Sequence, residues 1–193
     1  MKKLLLLLLF IPLVSFGQED IKQGLVTKYY EGGEVSSKTN YVDGKRQGET
    51  IGYYPSGKVM NKGNYVDGKK QGEHFWYSKS GEVISKTNYV NGKHQGEYSL
   101  YYGSGEVMSK VNFVDGKKQG ETIGYYASGA VSKKGNYVDG KLQGEYIEYY
   151  ESGAVRNKSN WVDWKVQGEY IEYYESGEIK EIKNYKNGVL IED

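Results

Sequence analysis

Residues Gln119 to Lys141 read QGETIGYYASGAVSKKGNYVDGK, and almost everything that follows the leader is another copy of this stretch. The pair Gln-Gly recurs at Gln23-Gly24, Gln47-Gly48, Gln71-Gly72, Gln95-Gly96, Gln119-Gly120, Gln143-Gly144 and Gln167-Gly168, 24 residues apart each time and without insertion. Asparagine keeps the same phase from Asn40 to Asn184. Each is followed by an aromatic residue: Tyr41, Tyr65, Tyr89, Phe113, Tyr137, Trp161 and Tyr185. A fixed period of this length predicts stacked supersecondary units rather than one globular core.

The unit itself reads as two strands. Glu49 to Tyr54 is a short run of β-formers, Pro55-Ser56-Gly57 a turn, Lys58 to Val66 a longer run, and Asp67-Gly68 a second turn. Asp-Gly between β-formers signals a type I′ hairpin, whose two central residues need φ > 0. A three-residue loop with glycine last fits a type I turn closed by a left-handed residue. The fold class is therefore all-β: an elongated single-sheet antiparallel meander of seven hairpin repeats with about fourteen strands. Loops of three and two residues leave an odd number for the two strands, so one residue per copy is left over. A β-bulge absorbs it, and glycine tolerates the bulge best, which places it at the Gln-Gly step. Val59 then lies opposite both Tyr53 and Tyr77, and the Val and first-Tyr columns make one stripe on one face. Without the bulge they fall on opposite faces.

Composition agrees with a thin sheet. The chain of 193 residues has 21 Tyr, 27 Gly and only 37% hydrophobic residues, too few apolar side chains for a thick core. Tyrosine suits such a sheet, being apolar in the ring and wet at the hydroxyl. The net charge of +1 comes with interspersed Lys and Glu and no basic block, which excludes nucleic acid as a partner. The absence of cysteine rules out disulfides, thiol nucleophiles and a lipidated cysteine.

Residues 1–17, MKKLLLLLLFIPLVSFG, have a charged start, an apolar run and small residues before Gln18. This is the pattern of a secretory signal peptide, and the run is too short to span a bilayer, which takes about 20 residues. The repeat domain is assigned to 18–193, secreted or periplasmic, with no transmembrane segment in the mature chain.

The unit NYVDGKxQGExxxYYxSGxV, as at Asn64–Val83 and Asn112–Val131, resembles the MORN repeat, especially its bacterial variant form. The resemblance covers about Gln23 to the C-terminus. It implies a scaffold that binds proteins or lipids. It also implies a second reading, because many bacterial proteins of this variant (the YwqK-type family) are antitoxins of toxin–antitoxin systems.

Residue by residue, little points to catalysis. His74 and His94 stand in columns where other copies carry Thr, Tyr, Lys, Arg or Leu, which assigns them to the surface. Glu49, Glu73, Glu97, Glu121, Glu145 and Glu169 recur with Lys38 to Lys158. Glycosidases need two acids in different environments, so this row reads as Glu–Lys contacts across strands. One Asp per copy at the Asp-Gly turn reads as a turn former, not a calcium ligand. No catalytic residue, metal or cofactor is expected. The candidate binding surface is aromatic. Tyr30, Tyr54, Tyr102, Tyr126, Tyr150 and Tyr174 form one column, and alternation places it opposite the Val/Tyr stripe with Trp76, Tyr98, Tyr146 and Tyr170. The chain thus reads as a non-enzymatic scaffold with a protein partner, a glycan or lipid being the other ligands such rings take. A carbohydrate-active protein is the alternative from another class. In the irregular turn Asp163-Trp164, a bulky residue stands where φ > 0 is needed, so either the turn changes type or Trp164 gains by packing.

The mature chain should begin at Gln18. Mass spectrometry of the exported protein decides this, and an intact Met1–Gly17 segment on it would overturn the assignment.

Overall fold

The computed structural model describes residues 22–191, so the expected leader and its cleavage site lie outside the described residues. Seventeen strand segments and no helix make up the described chain. Each copy gives two arms, such as Val59–Val66 and Lys69–Tyr77. In two copies the second arm is split, into Lys93–His94 and Gly96–Tyr101 and into Lys141–Leu142 and Gly144–Tyr149. Every pairing is antiparallel and joins consecutive arms, from Gly24–Tyr29 on Val35–Val42 to Ile179–Lys186 on Val189–Ile191. The result is an open meander, one layer thick. Only Tyr89, Val111 and Leu142 among its apolar side chains are buried.

Both turns form as the residue types require. Asp67 and Gly68 have φ of 49° and 80°, and the same pair of positive values recurs in the other copies. In the three-residue loop Gly57 has φ of 83°, the Tyr54 N–H donates to the Lys58 carbonyl at 2.8 Å, and the Gly57 N–H donates to the Tyr54 carbonyl at 2.8 Å. The Asp163-Trp164 turn keeps its type, with φ of 49° and 68°. Trp164 packs edge-to-face on Tyr137 at 5.4 Å. Its N–H reaches the Leu142 carbonyl only at 3.4 Å, against 2.8 to 3.0 Å for the glycine at this position in the other turns.

The Gln-Gly step carries a bulge, but a larger one than parity requires. On the side of the preceding arm, Gly63 faces His74 and Asn64 faces Gln71, so Gly72 and Glu73 are both extra. On the other side a second bulge takes back one residue: Gly52 faces Asn61 and Tyr53 faces Val59, leaving Met60 extra. The net is the single residue that parity demands. Val59 therefore lies opposite Tyr53, as expected, but not opposite Tyr77, because that pairing runs only to Asn61 and Trp76. Gly72 turns the strand at φ of 71°. Lys69 to Gln71 pair backward only, whereas Gly72 and Glu73 pair forward with Tyr89 and Asn88.

Two side-chain hydrogen bonds lace the margins. At one margin the glutamine of each Gln-Gly pair accepts from the backbone N–H of the turn residue 20 positions on, as Gln47 Oε1 does from Asp67 at 3.0 Å. All seven copies make this bond, at 2.8 to 3.1 Å. At the other margin the second tyrosine of Tyr-Tyr donates its hydroxyl to a carbonyl 23 residues on, as Tyr54 does to Tyr77 at 2.7 Å. Tyr30, Tyr102, Tyr126 and Tyr150 do the same. Where Ser78 replaces this tyrosine, its Oγ accepts from Gly81 and Glu82 within its own loop instead.

Gly120 and Gly103 both have open space where a Cβ would go, but only Gly120 has a left-handed φ, +82°. Gly120→Ala should therefore cost about 1–2 kcal/mol, while Gly103→Ala should be neutral or stabilise by about 0.4–1 kcal/mol. Urea unfolding midpoints measure the contrast, and equal midpoints would argue that the bulge imposes no conformational demand.

Candidate functional site

The pairing sorts every strand column onto one of two faces. One face carries the residues that scarcely change between copies. These are the Glu column of Glu49, the Lys column of Lys62, the Asn column of Asn64 and the Val/Tyr stripe of Val59 and Tyr53. Its expected ion pairs form, Lys86–Glu73 at 2.5 Å, Lys110–Glu97 at 3.3 Å and Lys158–Glu145 at 2.6 Å, all exposed. Pairs of this kind contribute about 0–1 kcal/mol. The other face carries the columns that vary. The column of Gly63 holds Thr39, Thr87, Val111, Gly135 and Ser159. The column of Trp76 holds Gly52, Leu100, Gly124, Glu148 and Glu172. One column here is always aromatic, the residue after each asparagine.

Size complementarity packs this aromatic face. Small residues stand opposite rings: Gly63 faces His74 and Ser159 faces Tyr170. A Cβ on Gly135 would meet the Tyr146 ring at 2.7 Å. His74 is 7% exposed. It stands edge-on between Tyr65 at 5.6 Å and Tyr89 at 4.8 Å, and its Nε2 lies 3.0 Å from the Asn64 carbonyl. His94 continues the row, 4.3 Å from the Tyr89 ring and 4.9 Å from Phe113. Cations lie over the next rings: Arg46 over Tyr65, Lys70 over Tyr89 and Lys118 over Tyr137. Between Tyr98, Phe113, Tyr137 and Tyr146 the face opens into a groove of about 240 Å³, bordered by Lys118 and Lys133.

Electrostatics change along this face. Burial holds the His74 and His94 imidazoles below their ordinary value, helped by the neighbouring Lys70 charge. Further on, burial would raise the Glu148 carboxyl, but hydrogen bonds from Arg156, Asn157 and Tyr146 outweigh it and hold the group low. Tyr146 is pushed up to about 12 by burial and by that carboxylate, so it stays protonated at neutral pH.

Of the residues expected to bind, Trp76, Tyr98, Tyr146 and Tyr170 lie on the aromatic face, opposite the Val/Tyr stripe. The column of Tyr30, Tyr54, Tyr102, Tyr126, Tyr150 and Tyr174 differs from expectation. It sits past the strand ends, where alternation no longer assigns a face, and the hydroxyls of all but Tyr174 are bound to backbone. Tyr174 is 51% exposed. The surface assignment of His74 is also corrected: a partner glycine across the strand gives its ring a buried place. The reading missed Arg46, Lys70 and Lys118. Their signal was present in the sequence, as the position after the turn lysine in Asp-Gly-Lys-x-Gln.

Comparison with known families matches seven consecutive segments, 22–43, 46–67, 70–91, 95–115, 118–139, 142–163 and 166–187, to the MORN repeat variant. The search of curated proteins gives no match. Among solved structures, a mutant of S. aureus TarM in complex with fondaparinux, alpha-GlcNAc-glycerol and UDP is 14% identical over 50% of this chain, with a TM-score of 0.34. A GtfA/B complex bound to UDP and GlcNAc is 12% identical over 60% of this chain, with a TM-score of 0.25. The chain spans only 19% and 22% of those chains.

The histidines set a pH dependence. Unfolded imidazoles protonate near pH 6.5, whereas His74 and His94 resist in the fold. Their contribution is present above about pH 6.5 and is lost as pH falls through that value towards the lower folded one. Thermal unfolding should weaken between about pH 6.5 and 5, and His74→Thr, the residue of Thr50 and Thr122, should flatten the slope while lowering the midpoint. An unchanged slope in this variant would overturn the assignment.

Proposed function

The chain belongs to the family of the MORN repeat variant, and from that premise we propose that it is an exported, non-enzymatic scaffold that holds its partner on the aromatic face. The observation that carries this reading is the segregation of variation. Copies of one unit differ little in the Gln and Asp-Gly positions of the margin and in the Glu, Lys, Asn and Val/Tyr columns of the Glu–Lys face, whereas the column of Ile51, Phe75 and Ser99 on that face does vary. They differ most on the aromatic face, in the columns of Thr50, His74, Tyr98 and of Gly52, Trp76, Leu100. A surface that only covers a sheet needs no such copy-specific pattern, whereas a recognition surface does. Export rests on the residue pattern of Met1–Gly17.

Ser109 and Lys110 are neighbours on opposite faces, and the chain has no cysteine of its own. A photo-crosslinker on Ser109→Cys should trap a partner, and one on Lys110→Cys should not. Equal trapping from both positions, or trapping from Lys110 alone, would overturn the reading.

A further inference from the structure

The cations of the aromatic face form a row with its own geometry. Arg46 lies 5.1 Å from the Tyr65 ring, Lys70 4.6 Å from Tyr89 and Lys118 4.9 Å from Tyr137. Arg46 also donates to the Tyr65 hydroxyl at 3.1 Å, and Lys70 to the Tyr89 hydroxyl at 3.3 Å. Among the described residues none of the three cations pairs with a carboxylate, whereas Lys86, Lys110 and Lys158 on the opposite face do. From residue 22 to 147 every acidic side chain belongs to a loop, a turn or the Glu column of the other face. The first carboxylate on the aromatic face is Glu148. The row is therefore unneutralised.

Its spacing is fixed by the fold. One copy is two strands, so Arg46 and Lys70 are about 9–10 Å apart along the sheet, and Lys118 stands two copies on from Lys70, about twice that distance, with His94 at the place between. We propose that this row binds a linear acidic polysaccharide with one carboxylate per disaccharide, laid along the sheet axis, a proposal that rests on the aromatic face being the binding face. Other polyanions fit less well. Single-stranded nucleic acid binds by stacking bases on open ring faces, and here cations cover them. An extended acidic peptide rises ~3.3–3.6 Å per residue, so matching the row needs an acid at every third residue. Alternation then turns successive acids to opposite sides. A disaccharide repeat keeps its carboxylates in phase, so successive units can meet Arg46 and Lys70 and a later one Lys118.

The probe is a hyaluronan octasaccharide, followed by titration calorimetry at low salt. The wild-type protein should bind it, more weakly as salt is added. Arg46→Gln, Lys70→Gln and Lys118→Gln together should weaken binding by about tenfold or more. Lys38→Gln, Lys62→Gln and Lys134→Gln remove the same charge from the opposite face and should change it by less than about twofold. If the first triple variant fails to fold, Lys118→Gln alone and the ring-proton shifts of Tyr65 and Tyr137 in the wild type give the same answer. Equal weakening by the two triple variants overturns the proposal. So does tighter binding of oligo-dT, polyglutamate or phosphatidylglycerol vesicles than of hyaluronan. Absent hyaluronan binding with Ser109 crosslinks retained overturns the glycan and leaves the binding face standing; loss of both overturns both.

Discussion

The hydrogen bonds that span one period hold this fold in register. A single-layer sheet has no core to fix its arms, and among the described residues only three apolar side chains are buried. Glutamine on one margin and tyrosine on the other tie each copy to the next, 20 and 23 residues away. One such bond contributes about 0.5–1.5 kcal/mol, but it recurs in nearly every copy. It also specifies length. Adding a residue between Gln47 and Asp67 would move the turn amide out of reach of its acceptor, which accounts for a period of 24 without insertion.

The glutamine bond and the bulge are two parts of one device. The left-handed glycine bends the arm, so that Lys69 to Gln71 run beside the next turn while Gly72 onward joins the next arm. That bend lets Gln71 reach the Asn91 amide at 2.9 Å. The glycine is therefore needed for its backbone and the glutamine for its length. Their constant pairing in the sequence reflects a single geometric requirement.

Much of this was legible in the sequence. The period, both turn types and the position of the bulge follow from glycine placement and parity. Parity gives only the net number of extra residues, however, and two bulges of opposite sense have the same net as one. That is why Val59 was placed against Tyr77 as well as Tyr53. Alternation failed at the Tyr54 column for a related reason: it holds inside a paired strand, and Tyr54 lies one residue beyond. His74 was misplaced because its burial depends on Gly63 across the strand, a partner that the column of His74 does not reveal. The Trp164 turn kept its type because the turn must reach back to Gln143 and Leu142, and the ring gains Tyr137. That contact partly offsets a left-handed non-glycine residue, which costs about 1–2 kcal/mol.

The two faces divide the constraints between them. Any residue that must meet its equivalent in the next copy, through a margin bond or a Glu–Lys contact, is held to one type by the period. The aromatic face escapes this because its packing is between a small residue and a ring, a relation many pairs satisfy: Gly63 with His74, Gly135 with Tyr146, Ser159 with Tyr170. It can therefore change along the axis while the sheet stays regular. It does so in one direction. The place of Arg46, Lys70 and Lys118 passes to Leu142 and Val166, and beside them Glu148–Arg156 and Glu172–Lys180 pairs neutralise the surface. A regular scaffold thus carries a cationic first part and a neutral last part on one face, so a ligand lying along it meets a defined direction.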